Sequence, residues 1–236
     1  DKSEMITQLL FGETYKILES NNKWSYIRSD IDRYEGWIDS KNISLLNSEE
    51  IDNKYITRNL INYCIDNSNS VIHLMPGSFI PNYDYSTQSF SINYNQYSIK
   101  KENLKLLSKD IRDQFITAAK LFINSPYLWG GKTPFGTDCS GFTQIVYRVN
   151  GILIPRDAEK QSKIGETVNF FQEIRPGDLL FFDNEEGEII HVGIYLGNHK
   201  IIHASGKVRI DNVDQQGIFN KETQKYTHHL RIVKTI

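Results

Sequence analysis

Thr137-Asp138-Cys139-Ser140-Gly141-Phe142 follows two glycine-bearing stretches, Tyr127-Leu128-Trp129-Gly130-Gly131 and Pro134-Phe135-Gly136, that read as loop. Behind it Phe142, Ile145, Val146 and Val149 recur at i, i+3, i+4 and i+7, the stripe of an amphipathic helix. Cys139 therefore falls on the first turn of a helix entered from a tight loop. Unpaired N–H groups and the dipole at a helix start stabilise an anion there, which is expected to lower the thiol's pKa toward the nucleophilic thiolate.

The rest of the composition narrows the partners. With 27 Lys plus Arg against 29 Asp plus Glu, the formal charge is −2, and nothing suggests a surface for polyanions. Nucleic acid is not an expected partner. No apolar run approaches the roughly 20 residues a bilayer-spanning helix needs, so no transmembrane segment is expected. The chain opens on Asp1-Lys2 without methionine, read here as loss of an N-terminal leader and so as a mark of export to the periplasm or cell envelope. Two cysteines, Cys64 and Cys139, make no disulfide framework and a poor metal-binding pattern. Cys64, beside Tyr63 and Ile65, reads as a small buried hydrophobe.

The order of elements suggests three parts. Up to Leu46 the chain shows short runs separated by turns: Gln8-Leu9-Leu10-Phe11, Tyr15-Lys16-Ile17-Leu18, Trp24-Ser25-Tyr26-Ile27 and Gly36-Trp37-Ile38. Such spacing suggests a small barrel or sandwich. Residues 38–46 match 99–107 in pattern, and Phe11-Gly12-Glu13 has an echo in Pro76-Gly77-Ser78, so two copies of one β module are expected over 1–48 and 49–108. From Ser108 the composition changes. Ile111, Phe115, Ala118, Ala119, Phe122 and Ile123 form a helical stripe ending at Asn124-Ser125-Pro126. After the Cys139 helix come a short helical stretch near 158–164, the turn Arg175-Pro176-Gly177-Asp178, a buried strand over 179–182, and strands over 189–196 and 200–204 joined at Gly197-Asn198. Helices followed by an antiparallel sheet make residues 109–236 an α+β domain.

If the chain folds back about Gly197, His191 and His203 lie opposite each other, each six residues from the turn. One imidazole can then act as base toward a thiol while a second polar group orients it. Spacing alone leaves other readings open. Cys139 can be a packing residue, the histidines can be surface or satisfied core groups, and the three can form a Cys-His-His zinc set, although a fourth ligand and the usual close-spaced pairs are absent. His199, His228 and His229 read as solvated.

Tyr127-Leu128-Trp129-Gly130-Gly131, Asp138-Cys139-Ser140-Gly141-Phe142, Arg175-Pro176-Gly177-Asp178-Leu179, His191-Val192-Gly193-Ile194-Tyr195 and Ile202-His203-Ala204 resemble, in order, the motifs of the NlpC-type cysteine peptidases, bacterial cell-wall hydrolases with a papain-like core. The N-terminal part is similar to the bacterial SH3-like domains that accompany them. The resemblance implies that Cys139 is the nucleophile, His191 the base, and His203 the group that orients it, with the Tyr127 hydroxyl and the Cys139 amide at the oxyanion site or Tyr127 merely packing beside Trp129. It implies cleavage of the γ-D-glutamyl bond to lysine or meso-diaminopimelate in peptidoglycan stem peptides. In the subgroup with SH3-like domains, the substrate begins with a free L-Ala amine and L-Ala-γ-D-Glu is released. Asp157 matches that subgroup's acidic position, and Glu13 and Tyr34 are further partners for the ammonium, or exposed turn residues. Arg156 would grip the D-Glu α-carboxylate in a fork or make a surface ion pair. Asp138 and Ser140 are taken as substrate contacts, Ser140 alternatively as a helix starter. Where the subgroup often has serine, this chain has Ala158, which removes a hydroxyl. A monomer without cofactor is implied, with acyl transfer, or wall binding by an inactive hydrolase domain, as the rival functions.

Overall fold

The computed structural model describes residues 3–46, 51–108 and 113–236. Ile111 of the expected first stripe and the expected module boundary at residue 48 lie outside the described residues. The chain forms two units, one of Leu9–Ser108 and one in which the residues up to Gln8 join those beyond Ser108.

Within Leu9–Ser108 every strand is short. β1 (Tyr15–Ser20), β2 (Trp24–Ser29) and β3 (Glu35–Asp39) form an antiparallel meander. β4 (Tyr55–Thr57), β5 (Asn62–Asp66), β6 (Val71–Leu74), β7 (Phe79–Ile80), β8 (Ser89–Ile92), β9 (Asn95–Ser98) and β10 (Leu104–Leu106) make two sheets, ordered β6-β5-β9-β8 and β10-β4-β7. Cys64, Leu74, Ile80, Phe90, Ile99 and Leu104 share one buried cluster. Burial pushes the Cys64 thiol up to about 11, so it behaves as a packing group.

The sequence repeat has a conformational counterpart. Ser40–Asn42 and Lys101–Asn103 each form one 3-10 turn entered from an extended residue, Asp39 and Lys100. Gly12 and Gly77 both stand at φ 80°, in turns closed by the Glu13 and Ser78 amides donating to the Leu10 and Met75 carbonyls, each at 3.1 Å. A turn with positive φ at its third position selects glycine. Gln8-Leu9-Leu10-Phe11, expected as a strand, pairs with no ladder. Gln8 belongs instead to the unit that contains Lys132, whose amide its Oε1 accepts from at 2.8 Å.

The second unit holds α1 (Asp113–Leu121), the small hairpin β11 (Lys132–Thr133) and β12 (Gly136–Thr137), α2 (Cys139–Val149), α3 (Ala158–Gln161) and β13 (Glu166–Thr167). Then come β14 (Leu179–Asp183), β15 (Ile189–Gly197), β16 (Lys200–Ser205), β17 (Lys207–Val213), β18 (Gly217–Asn220) and β19 (Lys225–Thr235). The sheet order is β13-β19-β14-β15-β16-β17-β18, all antiparallel, and β19 also pairs with β18, so the sheet closes on itself. β17 to β19 lie beyond the strands expected from sequence. Leu180, Phe182, Tyr195, Ile201, Val213, Ile218 and Val233 fill one face, while α2 packs on β15 and β16. α2 is buried all round rather than on one stripe, because α1, α3, β11 and the sheet surround it. Two of its polar residues bond inside, Thr143 Oγ1 donating to the Ser140 carbonyl at 3.0 Å and Gln144 Nε2 to the Ile154 carbonyl at 3.1 Å.

Candidate active site

The helix start is fixed by one carboxylate. Asp138 caps α2 in an extended conformation, its Oδ1 accepting from the Gly141 amide at 2.7 Å. Its Oδ2 accepts from the Gly130 amide at 2.8 Å, which ties the loop to the helix. Arg156 closes the arrangement, Nη1 standing 3.0 Å from Oδ1 and Nη2 2.5 Å from Oδ2. Nη1 also donates to Ser140 Oγ at 2.9 Å, and Nε to Thr7 Oγ1 at 3.0 Å. Gly141 is required for this closeness, since a Cβ there would lie 2.1 Å from the Gly131 carbonyl oxygen.

These contacts correct three expectations. Arg156 is neither on the surface nor open to a substrate carboxylate, because it is buried and its fork is filled by Asp138. Asp138 and Ser140, taken as substrate contacts, are buried in the same network with their polar atoms engaged by the loop, the helix and Arg156.

Cys139 is 7% exposed. Burial, followed by the Asp138 charge, pushes its thiol up to about 11, against the opposing pull of the Val192 and Ser140 amides and of Arg156. The lowering expected from the helix start is therefore overridden, since a thiolate here loses its water and faces a carboxylate. The Val192 amide acts on the thiol, so the sulfur lies near the strand that carries His191.

His191 Nε2 lies 2.8 Å from His203 Nδ1, with the rings edge to face. His203 Nε2 lies 3.0 Å from Asp211 Oδ2, and Arg209 holds the same carboxylate, Nε 2.7 Å from Oδ2 and Nη2 3.0 Å from Oδ1. Burial works against the Asp211 charge, but the hydrogen bonds from His203 and Arg209 outweigh it and hold the carboxyl below its ordinary range. An ionised carboxylate only accepts, so His203 carries its proton on Nε2 and accepts at Nδ1. His191 then carries its proton on Nε2, which leaves Nδ1 as a bare lone pair.

The strand register differs from the expected one by two residues. His203 faces Gly193, and a bulge falls between Tyr195 and Gly197, with Asn198 and His199 at φ 50° and 55° in the turn. A slip of two preserves the face, so the imidazoles meet on the diagonal. Gly193 keeps that diagonal open, since a Cβ there would lie 2.9 Å from His203 Cβ. The ring nitrogens face each other and so cannot both aim lone pairs at one ion, which argues against the Cys-His-His zinc set. Among the described residues no group of three or more His, Cys, Asp or Glu is placed to hold a metal.

His228 is not solvated as expected. It is half-buried and stacked on His191, ring centroids 4.2 Å apart at 28°. Burial first, then His203 and His228, drive the His191 pKa well below its ordinary value. His228 is itself lowered to about 4 by burial and His203, with Asp211 opposing. His199 and His229 are exposed, His229 Nδ1 lying 3.0 Å from Asp183 Oδ1.

Tyr127 is half-buried, and burial, then the Cys139 and Asp138 charges, push its hydroxyl up to about 12. It therefore keeps its proton near neutral pH. Asp157 caps α3 by position but makes no side-chain hydrogen bond to it, and its partly exposed carboxylate pairs with Lys160 at 3.1 Å. Ala158 is buried. Glu13 and Tyr34 belong to the other unit, where Glu13 is buried and Tyr34 half-buried. Asp211, Arg209, His228 and Thr7 are the residues sequence reasoning missed. Ser205-Gly206-Lys207 held the signal for the first two, because a hairpin there sets 209 opposite 203 and 211 on its diagonal.

A cysteine at a helix start, near the strand that begins a histidine relay, is the arrangement of a thiol peptidase. The NlpC/P60 family pattern matches residues 124–230, and that of the bacterial dipeptidyl-peptidase SH3 domain matches residues 1–43. A gamma-D-glutamyl-L-lysine dipeptidyl-peptidase of Bacillus subtilis is 31% identical over 214 residues, 84% of this chain and 71% of that protein. Dipeptidyl-peptidase 6 of Lysinibacillus sphaericus is 27% identical over 243 residues, 91% of this chain and 86% of that one. The crystal structure of an NlpC/P60 family protein from Bacillus cereus shares the fold at a TM-score of 0.83 and 23% identity, covering 98% of this chain and 81% of that one. The chain belongs to the NlpC/P60 family of cysteine peptidases.

Proposed function

We propose that this protein hydrolyses the γ-D-glutamyl bond to a diamino acid, lysine or meso-diaminopimelate, in peptidoglycan stem peptides that begin with a free L-Ala amine, releasing L-Ala-γ-D-Glu. The observation that carries the reading is the relay from Asp211 through His203 to His191, on a strand whose Val192 amide acts on the Cys139 thiol. The names of the B. subtilis and L. sphaericus relatives support the same chemistry.

In this reading the resting pair is neutral, because burial raises the thiol and lowers the imidazole. The thiol proton passes to His191 Nδ1 as the sulfur attacks the γ-glutamyl carbonyl, and the imidazolium so formed is stabilised through His203 and Asp211. The Tyr127 hydroxyl and the Cys139 amide, at a helix start where amides lack intrahelical acceptors, receive the developing oxyanion. His191 returns the proton to the leaving amine, a thioester remains on Cys139, and water activated by His191 releases the acid. Asp157 supplies a carboxylate for the L-Ala ammonium. Residues 109–236, joined by those up to Gln8, act as a papain-like catalytic domain, the remainder of 1–48 and 49–108 as SH3-like modules, and the protein works as a monomer at the cell envelope. No helix among the described residues is long and apolar enough to cross a membrane.

Incubating L-Ala-γ-D-Glu-L-Lys and its diaminopimelate counterpart with the protein and with Cys139→Ala, then identifying products by mass, tests the reading. Release of L-Ala-γ-D-Glu by the wild type alone is the expected result. A condensed product would indicate acyl transfer, and binding without turnover a wall-binding protein. Undiminished cleavage of N-acetylated substrate would refute the free-amine requirement.

A further inference from the structure

We propose that His228 is a positioning residue for the reaction, fixing the plane of the His191 ring by stacking on it and screening that ring from the groove beyond. This rests on the reading of Cys139 and His191 given above.

The bond from Nε2 to His203 restrains only one corner of the His191 ring, which can still tilt about that bond. The stack with His228, 4.2 Å between centroids at 28°, restrains the face. Phe182 touches both rings, 5.9 Å from His191 and 6.0 Å from His228. Thr227 Oγ1, 2.9 Å from His228 Nδ1, sets the stacked ring's own rotation. The backbone is equally specified. Ile218 pairs with His228, a bulge follows, and Gly217 at φ 144° lets β18 close on β19 where a Cβ would stand 1.8 Å from the His228 carbonyl oxygen. On its far side His228 lines a groove of about 890 Å³ with Asp183, Gln216, Tyr226 and Arg231 among its walls. Without the ring, water from that groove would have access to the His191 face.

The groups that bear on His228 electrostatically are His191 on β15, His203 on β16 and Asp211 on β17, with Asp183 of β14, Glu185 and Glu186 after it, and His229 and Arg231 of β19 in the groove. A second imidazole against His191 disfavours the imidazolium, so removing it raises the pH at which His191 takes a proton.

The test is the hydrolysis of L-Ala-γ-D-Glu-L-Lys by the wild type, H228A, H228F and C139A, with kcat and KM measured separately across acid and neutral pH. In H228A, kcat falls about 10- to 100-fold, the cost of letting a reacting group drift by up to an ångström, and KM changes less. H228F, which keeps a flat ring, recovers part of that loss. In both variants the acid limb of kcat/KM moves to higher pH, which a mere fall in folded fraction would not produce. If folded H228A and H228F, or H228F alone where H228A does not fold, keep the wild-type kcat and acid limb while C139A is inactive, the positioning role is refuted and the hydrolase reading stands. If C139A hydrolyses the substrate as the wild type does, the hydrolase reading fails and takes this inference with it.

Discussion

An aspartate can order protons two residues away. Asp211 accepts from His203, His203 from His191, and the lone pair on His191 Nδ1 is the end of that sequence. Replacing Asp211 with Asn puts an amide donor opposite His203 Nε2, reverses each bond and leaves a proton on the nitrogen meant to accept one. We expect D211N to fold and to lose about 100- to 10,000-fold in kcat, the range set by wrong-tautomer variants of catalytic triads, with turnover and the melting midpoint as the measurements. The carboxyl's lowered pKa has a stability sign as well. Its contribution is present above the unfolded carboxyl's pKa and is lost as pH falls through the lower folded value. At this scale the meeting of His191 with His203 was legible, because two-residue periodicity keeps strand residues on one face even when the register is misplaced by two. Asp211 and His228 were not, because they sit on strands whose pairing comes from sheet closure rather than from any local pattern.

At the scale of elements, the start of α2 is defined less by its own propensity than by what it is bolted to. Asp138, Arg156, Ser140 and the Gly130 amide form one buried network. Asp138→Ala leaves a buried guanidinium without its carboxylate, and we expect a loss of about 3–5 kcal/mol in denaturant unfolding. Removing both charges together, as in D138A/R156M, recovers part of that loss, because no uncompensated ion remains. The loop and the helix were readable in sequence from Gly130, Gly131 and the stripe beginning at Phe142, whereas Asp138 as the cap was not. The purpose of Arg156 was not, since its distance along the chain from Asp138 conceals a side-chain fork. β17 to β19 escaped for a related reason, as Lys225–Thr235 is only weakly alternating in burial and owes its strand to neighbours on both sides.

Across the molecule, the turn geometry repeated near Gly12 and Gly77 was written in the sequence, whereas the allegiance of residues 3–8 was not. Thr7 and Gln8 are bonded to Arg156 and to the Lys132 amide, and Gly130 admits Met5 so closely that a Cβ would lie 2.4 Å from the Met5 carbonyl oxygen. Thr7→Val strands the Arg156 Nε–H and is expected to cost about 1–3 kcal/mol, read as a lower melting midpoint of the full chain at about 2–4 °C per kcal/mol. Gln8→Ala is expected to lower it in the same direction.

That N-terminal strap also bears on how the protein is made. Residues 3–8 are translated before 9–108, yet the groups they dock on arrive only afterwards, at 130, 132 and 156. During synthesis they must wait unpartnered while an entire unit is completed. An excised fragment beginning after Ser108, though it would carry every residue of the histidine relay, would be missing the piece that waits.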